Sequence, residues 1–153
     1  MKKLLLIAVS ICLLPSYILH AQNNLVIFSE QGEQFYLVLN GVKQNAKPET
    51  NVKVTSVMHS WVTTKIIFAD GKTADLDKKL PLMSGGTEVQ GYEFVYALKK
   101  NEKGYKLAYR SEAVIAQAPP TQGQTIIVYS ATPPPVTEST TTTISTTTTG
   151  TAP

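Results

Sequence analysis

The chain has 153 residues, with 14 basic and 11 acidic side chains, so its formal charge is +3. That length suffices for one domain. So small a charge argues against the strongly basic face with which proteins attract nucleic acid, and it gives no electrostatic reason for binding an anionic membrane.

Residues 1–21 have the parts of a secretory signal peptide. Lys2 and Lys3 form a positive start, residues 4–14 form an apolar stretch of eleven, and Ala21 offers the small residue that signal peptidase needs. The stretch is too short to span a bilayer, which takes about 20 residues. We therefore predict an exported protein, periplasmic, outer-surface or secreted, that begins at Gln22 and has no transmembrane segment after cleavage. A retained interfacial anchor is the alternative.

Cleavage would also remove Cys12, the only cysteine. Ile11 before it and Leu13 after it do not suit a lipidated cysteine, so we interpret Cys12 as part of the apolar stretch. A mature chain without cysteine excludes disulfides, thiolate metal sites and cysteine catalysis. It would also carry 12 basic and 11 acidic residues, a charge of only +1.

Residues 24–117 are predicted to form one β-domain. Short apolar or alternating stretches at 25–28, 35–39, 52–57 and 62–68 favour strands over helices. Asn40 and Gly41 predict a type I′ hairpin turn, because both tolerate a positive φ, with a short return strand at 42–44. The stretch 73–83 stays ambiguous, since Pro81 argues against a central strand there.

The clearest unit is a hairpin over residues 92–110, with its turn at 99–104 or 101–104. Two registers are open, with Leu98 opposite either Tyr105 or Leu107. Both place one set of residues on a common face, because a slip of two preserves the face. This predicted core face carries Phe94, Tyr96, Leu98, Leu107 and Tyr109, and the predicted solvent face carries Glu93, Lys99, Lys106 and Arg110.

Short strands separated by turn signals predict an all-β fold, a small antiparallel sandwich or a partly open barrel. Residues 118–153 are predicted to be a Pro/Thr-rich disordered tail, because ten of the fifteen residues at 137–151 are threonine and cannot bury enough apolar surface to order the chain. Within that tail, residues 126–129 could add an edge strand or merely collapse locally.

The order and spacing of several segments resemble the N-terminal β-region of a family of exported Gram-negative proteins that carry a C-terminal domain of unknown function. The segments are 24–30, 35–45, 48–55, 65–68, 75–78, 86–89 and 99–101. The resemblance implies a β-rich extracytoplasmic region and supplies no activity or site residues. The family's helical C-terminal domain is absent here, and residues 90–92 interrupt the pattern.

Few residues suggest a metal or catalytic site. His59, the only histidine outside the predicted signal peptide, has no accompanying ligands and is interpreted as a loop residue. Asp70, Asp75 and Asp77 are a calcium candidate through their carboxylate oxygens, although their spacing is not that of an EF-hand loop. The alternative is a turn that keeps the strand ends soluble.

Paired carboxylates could hydrolyse glycosides, and the candidate pairs are Glu30 with Glu33 and Glu88 with Glu93. Six aromatic residues could line a ligand platform, although aromatic residues at strand period are more often core: Trp61, Tyr36, Tyr92, Tyr96, Tyr105 and Tyr109. Trp61 is the ligand-binding candidate among them because it lies near a loop. The lysines at 99, 100, 103 and 106 favour a solvated turn over an anion-binding surface.

No catalytic motif occurs in the sequence, and no cofactor is expected. We therefore predict a non-catalytic binding or structural module of the cell envelope or the secreted fraction, whose partner is an envelope protein or a glycan and not a nucleic acid. The alternatives are a small extracytoplasmic hydrolase with paired carboxylates and a glycan- or peptide-binding domain.

Overall fold

The computed structural model describes residues 22–118 and 123–132. The predicted signal peptide and the threonine-rich segment lie outside these ranges. Within them the chain forms eleven strands, and a short 3-10 helix (Ile115–Gln117) follows the tenth. The strands are β1 (Asn23–Ser29), β2 (Phe35–Leu39), β3 (Val42–Lys43), β4 (Asn51–Val57), β5 (Trp61–Phe68), β6 (Leu76–Pro81), β7 (Met83–Ser84), β8 (Thr87–Glu88), β9 (Tyr92–Asn101), β10 (Gly104–Val114) and β11 (Thr125–Val128).

The strands build two main sheets and a small β7–β8 ribbon. The five-stranded sheet has the order β10-β9-β1-β4-β11, and the four-stranded sheet has the order β3-β2-β5-β6. One face of each sheet contributes to a single buried cluster. The cluster includes Leu25, Ile27, Val52, Val54, Phe94 and Leu98 from the five-stranded sheet and Phe35, Leu37, Leu39, Val62, Ile66 and Leu80 from the four-stranded sheet.

The all-β prediction is confirmed, but the five-stranded sheet is mixed and not purely antiparallel. β1 runs parallel to β9, and β4 runs parallel to β11. Parallel neighbours cannot be joined by a tight hairpin and need a long connection. The local alternation of residues contains no information about a pairing between strands so far apart in the sequence.

The predicted type I′ turn is confirmed. Asn40 and Gly41 have φ values of 48° and 83° and connect β2 to β3. Within the ambiguous stretch 73–83, the structure forms strand β6, which ends at Pro81 and lies at the edge of its sheet. A proline is tolerated there because an edge strand has one row of backbone groups without partners.

The β9–β10 hairpin adopts the second predicted register, with Leu98 opposite Leu107 and Tyr96 opposite Tyr109. Phe94, Tyr96 and Leu98 are buried as predicted. Tyr109 is not, because 53% of it is exposed at the edge of the sheet. That part of the predicted core face was wrong.

The solvent face was wrong at one position. Glu93 was predicted to face solvent, but it is only 5% exposed. It lies on the outer face of a central strand, β9, and forms an ion pair with Lys53.

The boundary predicted at residue 117 was placed too early. β11 pairs with β4, and the residues after it bind the other sheet: Asn40 Nδ2 donates to the Tyr129 hydroxyl at 3.1 Å, and the Ser130 N–H donates to Gln44 Oε1 at 3.0 Å. Residues 125–130 therefore belong to the folded domain. None of the helical structure in residues 22–118 and 123–132 is long and apolar enough to cross a membrane.

Candidate functional site

The structure does not bring the calcium candidates together. Asp70 accepts hydrogen bonds from its own turn, from the N–H of Lys72 and from the N–H and hydroxyl of Thr73, all at 2.6–3.0 Å. The Thr73 hydroxyl, the Thr73 N–H and the Lys72 N–H lower the pKa of Asp70 to about 2. Asp75 and Asp77 instead face Lys65 Nζ, at 3.7 and 2.7 Å. The described part of the chain holds no group of three acidic, histidine or cysteine side chains placed to bind a metal.

Trp61 lies at the start of β5 on the outer face of the four-stranded sheet. It is 44% exposed, and Lys79 Nζ lies 5.2 Å from its ring centroid. This cation occupies one side of the ring, an arrangement that stabilises an exposed tryptophan without any ligand. The structure thus places Trp61 on an open face and not in a cleft.

The first carboxylate pair does not converge on a common point. Glu30 Oε1 binds Lys99 Nζ at 3.2 Å and Arg110 at 2.9 Å. Glu33 accepts from the Ser29 hydroxyl and, at 3.0 Å, from the Tyr105 hydroxyl. Burial alone would raise the pKa of Glu33, but the hydrogen bonds from Ser29, from its own backbone and from Tyr105, with the charge of Lys100, together lower it. Such a carboxyl does not hold a proton at neutral pH for general-acid catalysis.

The two members of the second pair, Glu88 and Glu93, differ in their burial and in their contacts. Glu88 is exposed on β8, whereas Glu93 is buried on β9 and forms an ion pair with Lys53. Asn24 Nδ2 donates a further hydrogen bond to Glu93 at 3.3 Å. Glu93 is therefore held as a structural ion.

His59 and the lysine cluster have structural surroundings as well. His59 is exposed and packs edge-on against Tyr129, with ring centroids 5.9 Å apart. Lys100 lies 5.7 Å from the Tyr105 ring centroid, and Lys103 and Lys106 are exposed at the β9–β10 turn.

The feature best suited to hold a ligand is a cleft of about 440 Å³ between the edge strands β6 and β10. We call it the tyrosine cleft. It forms because β6 ends one sheet and β10 ends the other, so the sandwich is open along this side. Its lining consists of Lys78, Leu80, Pro81, Met83, Gly85, Tyr96, Leu107, Tyr109 and Glu112.

A β-bulge in β10 arranges the outer wall of this cleft. Tyr109 pairs with Tyr96 and Ser111 pairs with Val95, so Arg110 is the extra residue. Side chains three apart on a regular strand point to opposite faces. The bulge cancels that alternation and places Tyr109 and Glu112 on the same side, as bulges beside functional sites commonly do.

Tyr96 and Tyr109 form an edge-to-face aromatic pair. Their rings are 5.8 Å apart and nearly perpendicular, at 77°. The Tyr96 hydroxyl donates to the Pro81 carbonyl at 2.6 Å and thereby links the two sheets. Burial, with smaller contributions from Tyr109 and Glu112, raises the pKa of Tyr96 to about 12, and burial and the Glu112 carboxylate raise the pKa of Tyr109.

The cleft combines one exposed aromatic face with a few polar groups at its rim. Lys78 supplies hydrogen-bond donors, and Glu112, which accepts from the Ser84 hydroxyl, supplies acceptors. The buried Leu80 and Leu107 contribute apolar surface to its lining. An apolar lining with few polar groups is the usual composition of a ligand site.

A larger cavity of about 660 Å³ lies at the end of the sandwich, beside the loop between β4 and β5. Val57, Met58 and Val89 line it together with Glu88, and Met58 is 72% exposed. None of its lining residues is aromatic, so only its volume favours this cavity as a ligand site. We prefer the smaller cleft because its groups are held in place.

Sequence reasoning did not identify the tyrosine cleft. It preferred the core for Tyr96 and Tyr109, kept an aromatic ligand platform as the alternative, and gave no role to Lys78 or Glu112. The one available signal was the odd spacing between Tyr109 and Glu112, which acquires meaning only once the bulge at Arg110 is known.

Comparisons of the chain with protein-family models, with curated proteins and with solved structures found no significant match.

Proposed function

We propose that the protein is an exported, non-catalytic module that binds a glycan of the cell envelope or its surroundings in the tyrosine cleft. The observation that carries this proposal is Tyr109, which is 53% exposed and packs edge-on against the buried Tyr96. An exposed ring that already packs on a neighbour presents apolar surface at reduced entropic cost, because part of its freedom is lost before binding.

The chemistry of the cleft suits a sugar. The C–H face of a pyranose can stack on the Tyr109 ring, and its hydroxyls can bond to donors and acceptors at the rim. Lys78 offers donors, and the Glu112 carboxylate offers acceptors, which together match a group that both donates and accepts. The volume of about 440 Å³ is that of an ordinary small-ligand site.

The contacts of the acidic residues support binding without hydrolysis. A glycosidase needs two carboxyl groups facing the scissile bond, about 5–10 Å apart. Among the described residues that line the cleft, Glu112 is the only acid. The candidate acids Glu30, Glu33 and Glu93 are each held by a cation or a hydroxyl elsewhere in the fold.

Residues 1–21 support export, since they have the composition of a cleavable signal. The resemblance to the β-region of exported Gram-negative proteins supports the same location. Periplasm, outer surface and medium all contain glycans, so the proposed ligand and the proposed location agree.

The test is calorimetric titration of the chain from Gln22 onward with β-1,4-linked glucose and N-acetylglucosamine oligomers and with soluble peptidoglycan fragments. We expect saturable binding of at least one of these classes. Tyr109→Ala should weaken it about tenfold or more, as removal of a central aromatic contact does. Tyr109→Phe, which keeps the ring, and Trp61→Ala, on the other sheet, should leave the affinity within about twofold.

Two results would overturn the proposal. Equal affinity of the wild-type chain and Tyr109→Ala would place binding outside the cleft. Release of reducing ends from the bound oligomer, abolished by Glu112→Gln, would make the protein a hydrolase instead.

A further inference from the structure

The four edges of the two sheets differ in how they are protected. Exposed strand edges can pair with other chains unless charge, proline, a bulge or a short length prevents it. β6 carries Lys78, Lys79 and Pro81, β10 has its bulge at Arg110, and β3 is two residues long.

β11 is only four residues long, but it carries no charge, proline or bulge. Its residues are Thr125, Ile126, Ile127 and Val128, all uncharged, and it forms the edge of the five-stranded sheet next to β4. Ile126 is 65% exposed and Val128 is 69% exposed. No other strand in residues 22–118 and 123–132 pairs with its outer edge.

The direction of the backbone groups follows from one hydrogen bond. The N–H of Tyr129 donates to the Thr55 carbonyl at 2.9 Å and therefore points toward β4. Because successive residues of a strand direct their N–H and C=O groups to alternate sides, Ile127 also points toward β4. Ile126 and Val128 direct theirs to the free edge.

We infer that β11 pairs with β11 of a second copy of the chain, antiparallel about a twofold axis through Ile127. Ile126 then lies opposite Val128 of the second copy, and the two residues exchange hydrogen bonds in each of two equivalent pairs, about four bonds in all. The exposed side chains of Ile126 and Val128 cover one another across the axis. The strand is self-complementary in this register, since no charge meets a like charge.

A second copy fits this edge better than a charged partner does, because residues 124–130 contain no charge to steer or hold one. The contact is short, well below the roughly 1,200 Å² of a standard stable interface. The dimer is therefore weak and reversible. It leaves the tyrosine cleft open, since β10 and β11 are opposite edges of the five-stranded sheet.

Sedimentation velocity of the chain from Gln22 to its C-terminus, over about 5–500 µM, tests whether this dimer forms. The wild-type chain should shift from monomer to dimer. Ile126→Lys should weaken the dimer about tenfold or more, because a lysine replaces the apolar contact with Val128 of the second copy at both symmetric positions. Both positions are exposed, so an unchanged Tm confirms that the variants are folded.

The sharper control uses the predicted pairing of position 126 with position 128. Ile126→Lys combined with Val128→Glu puts opposite charges across the axis twice and should restore the dimer, whereas Ile126→Lys combined with Val128→Lys should not. Hydrogen exchange should show protection of the Ile126 and Val128 amides that rises with concentration, while the Ile127 amide is protected throughout.

Three results would overturn the inference. The wild-type chain could remain monomeric up to 500 µM with freely exchanging Ile126 and Val128 amides. Protection of those amides independent of concentration would place a segment of the same chain on the edge. A dimer unaffected by Ile126→Lys would use another face.

Discussion

Glu93 and Lys53 form an ion pair across β1 on the outer face of the five-stranded sheet, although Glu93 belongs to β9 and Lys53 to β4. The Glu93 side chain is 6% exposed and that of Lys53 is 18% exposed. The pair therefore connects three adjacent strands in a place that water scarcely reaches.

Removing one partner should be costly because it leaves the other charge without compensation. We expect Glu93→Leu to lower the free energy of unfolding by about 3 kcal/mol, as for other buried pairs broken on one side. Glu93→Leu combined with Lys53→Met should recover most of that loss. Urea unfolding of these two variants and of Lys53→Met measures the coupling, and a double variant as unstable as the sum of the two single ones would show that the pair is not coupled.

The core face of the β9–β10 hairpin gives a second prediction. Phe94 is fully buried, so Phe94→Ala should cost about 3–5 kcal/mol. Lys106→Ala on the exposed side should cost well under 1 kcal/mol. Thermal or urea unfolding measures both, and a harmless Phe94→Ala would contradict the burial described for this face.

Thr64 is fully buried in β5, and among the described residues its hydroxyl has no hydrogen-bond partner. A buried unpaired polar group costs about 1–3 kcal/mol. Thr64→Val keeps the shape and removes the hydroxyl, so it should stabilise the domain by about 1 kcal/mol. A raised unfolding midpoint in urea is the expected result. A loss of stability would mean that the hydroxyl has a partner.

The buried Tyr96 predicts a loss of stability at high pH. Burial, with smaller contributions from Tyr109 and Glu112, raises its pKa to about 12 in the folded chain, above the ordinary tyrosine value of 10.0. The folded state therefore holds the phenol proton more tightly than the unfolded state. This contribution to stability is complete below pH 10 and is lost as the pH rises through about 12.

Tyr96→Phe removes this titrating group, so its stability should fall less steeply than that of the wild-type chain between pH 10 and 12. Urea unfolding at a series of pH values measures the slope. Equal slopes would show that Tyr96 does not titrate in this range.

The sequence predicts the local elements well because they depend on neighbouring residues. The type I′ turn follows from Asn40 and Gly41, and the face shared by Phe94, Tyr96 and Leu98 follows from the two-residue period. The pairing between β1 and β9 joins residues about seventy positions apart, and the alternation within either strand gives no information about that pairing.

The candidate site could not be predicted for the same reason. Tyr109 lies on the face expected to be core, but β10 is an edge strand and its sheet does not continue over the ring. Glu93 alternates as a solvent residue, but it is covered because its strand is central. The bulge at Arg110, which brings Glu112 beside Tyr109, has no marker in the sequence.

The central claim is that the tyrosine cleft holds a glycan, and a map of ¹H–¹⁵N chemical shifts during titration with the best-binding oligomer tests it most directly. We predict that the largest changes fall on the amides of residues 78–83 and 107–112, which flank the cleft, and that Tyr109→Ala removes them. The amides around Trp61 and Ile126 should not move. Saturable changes centred on Trp61, on the outer face of the five-stranded sheet or beside Met58, with the cleft amides unmoved, would contradict the claim.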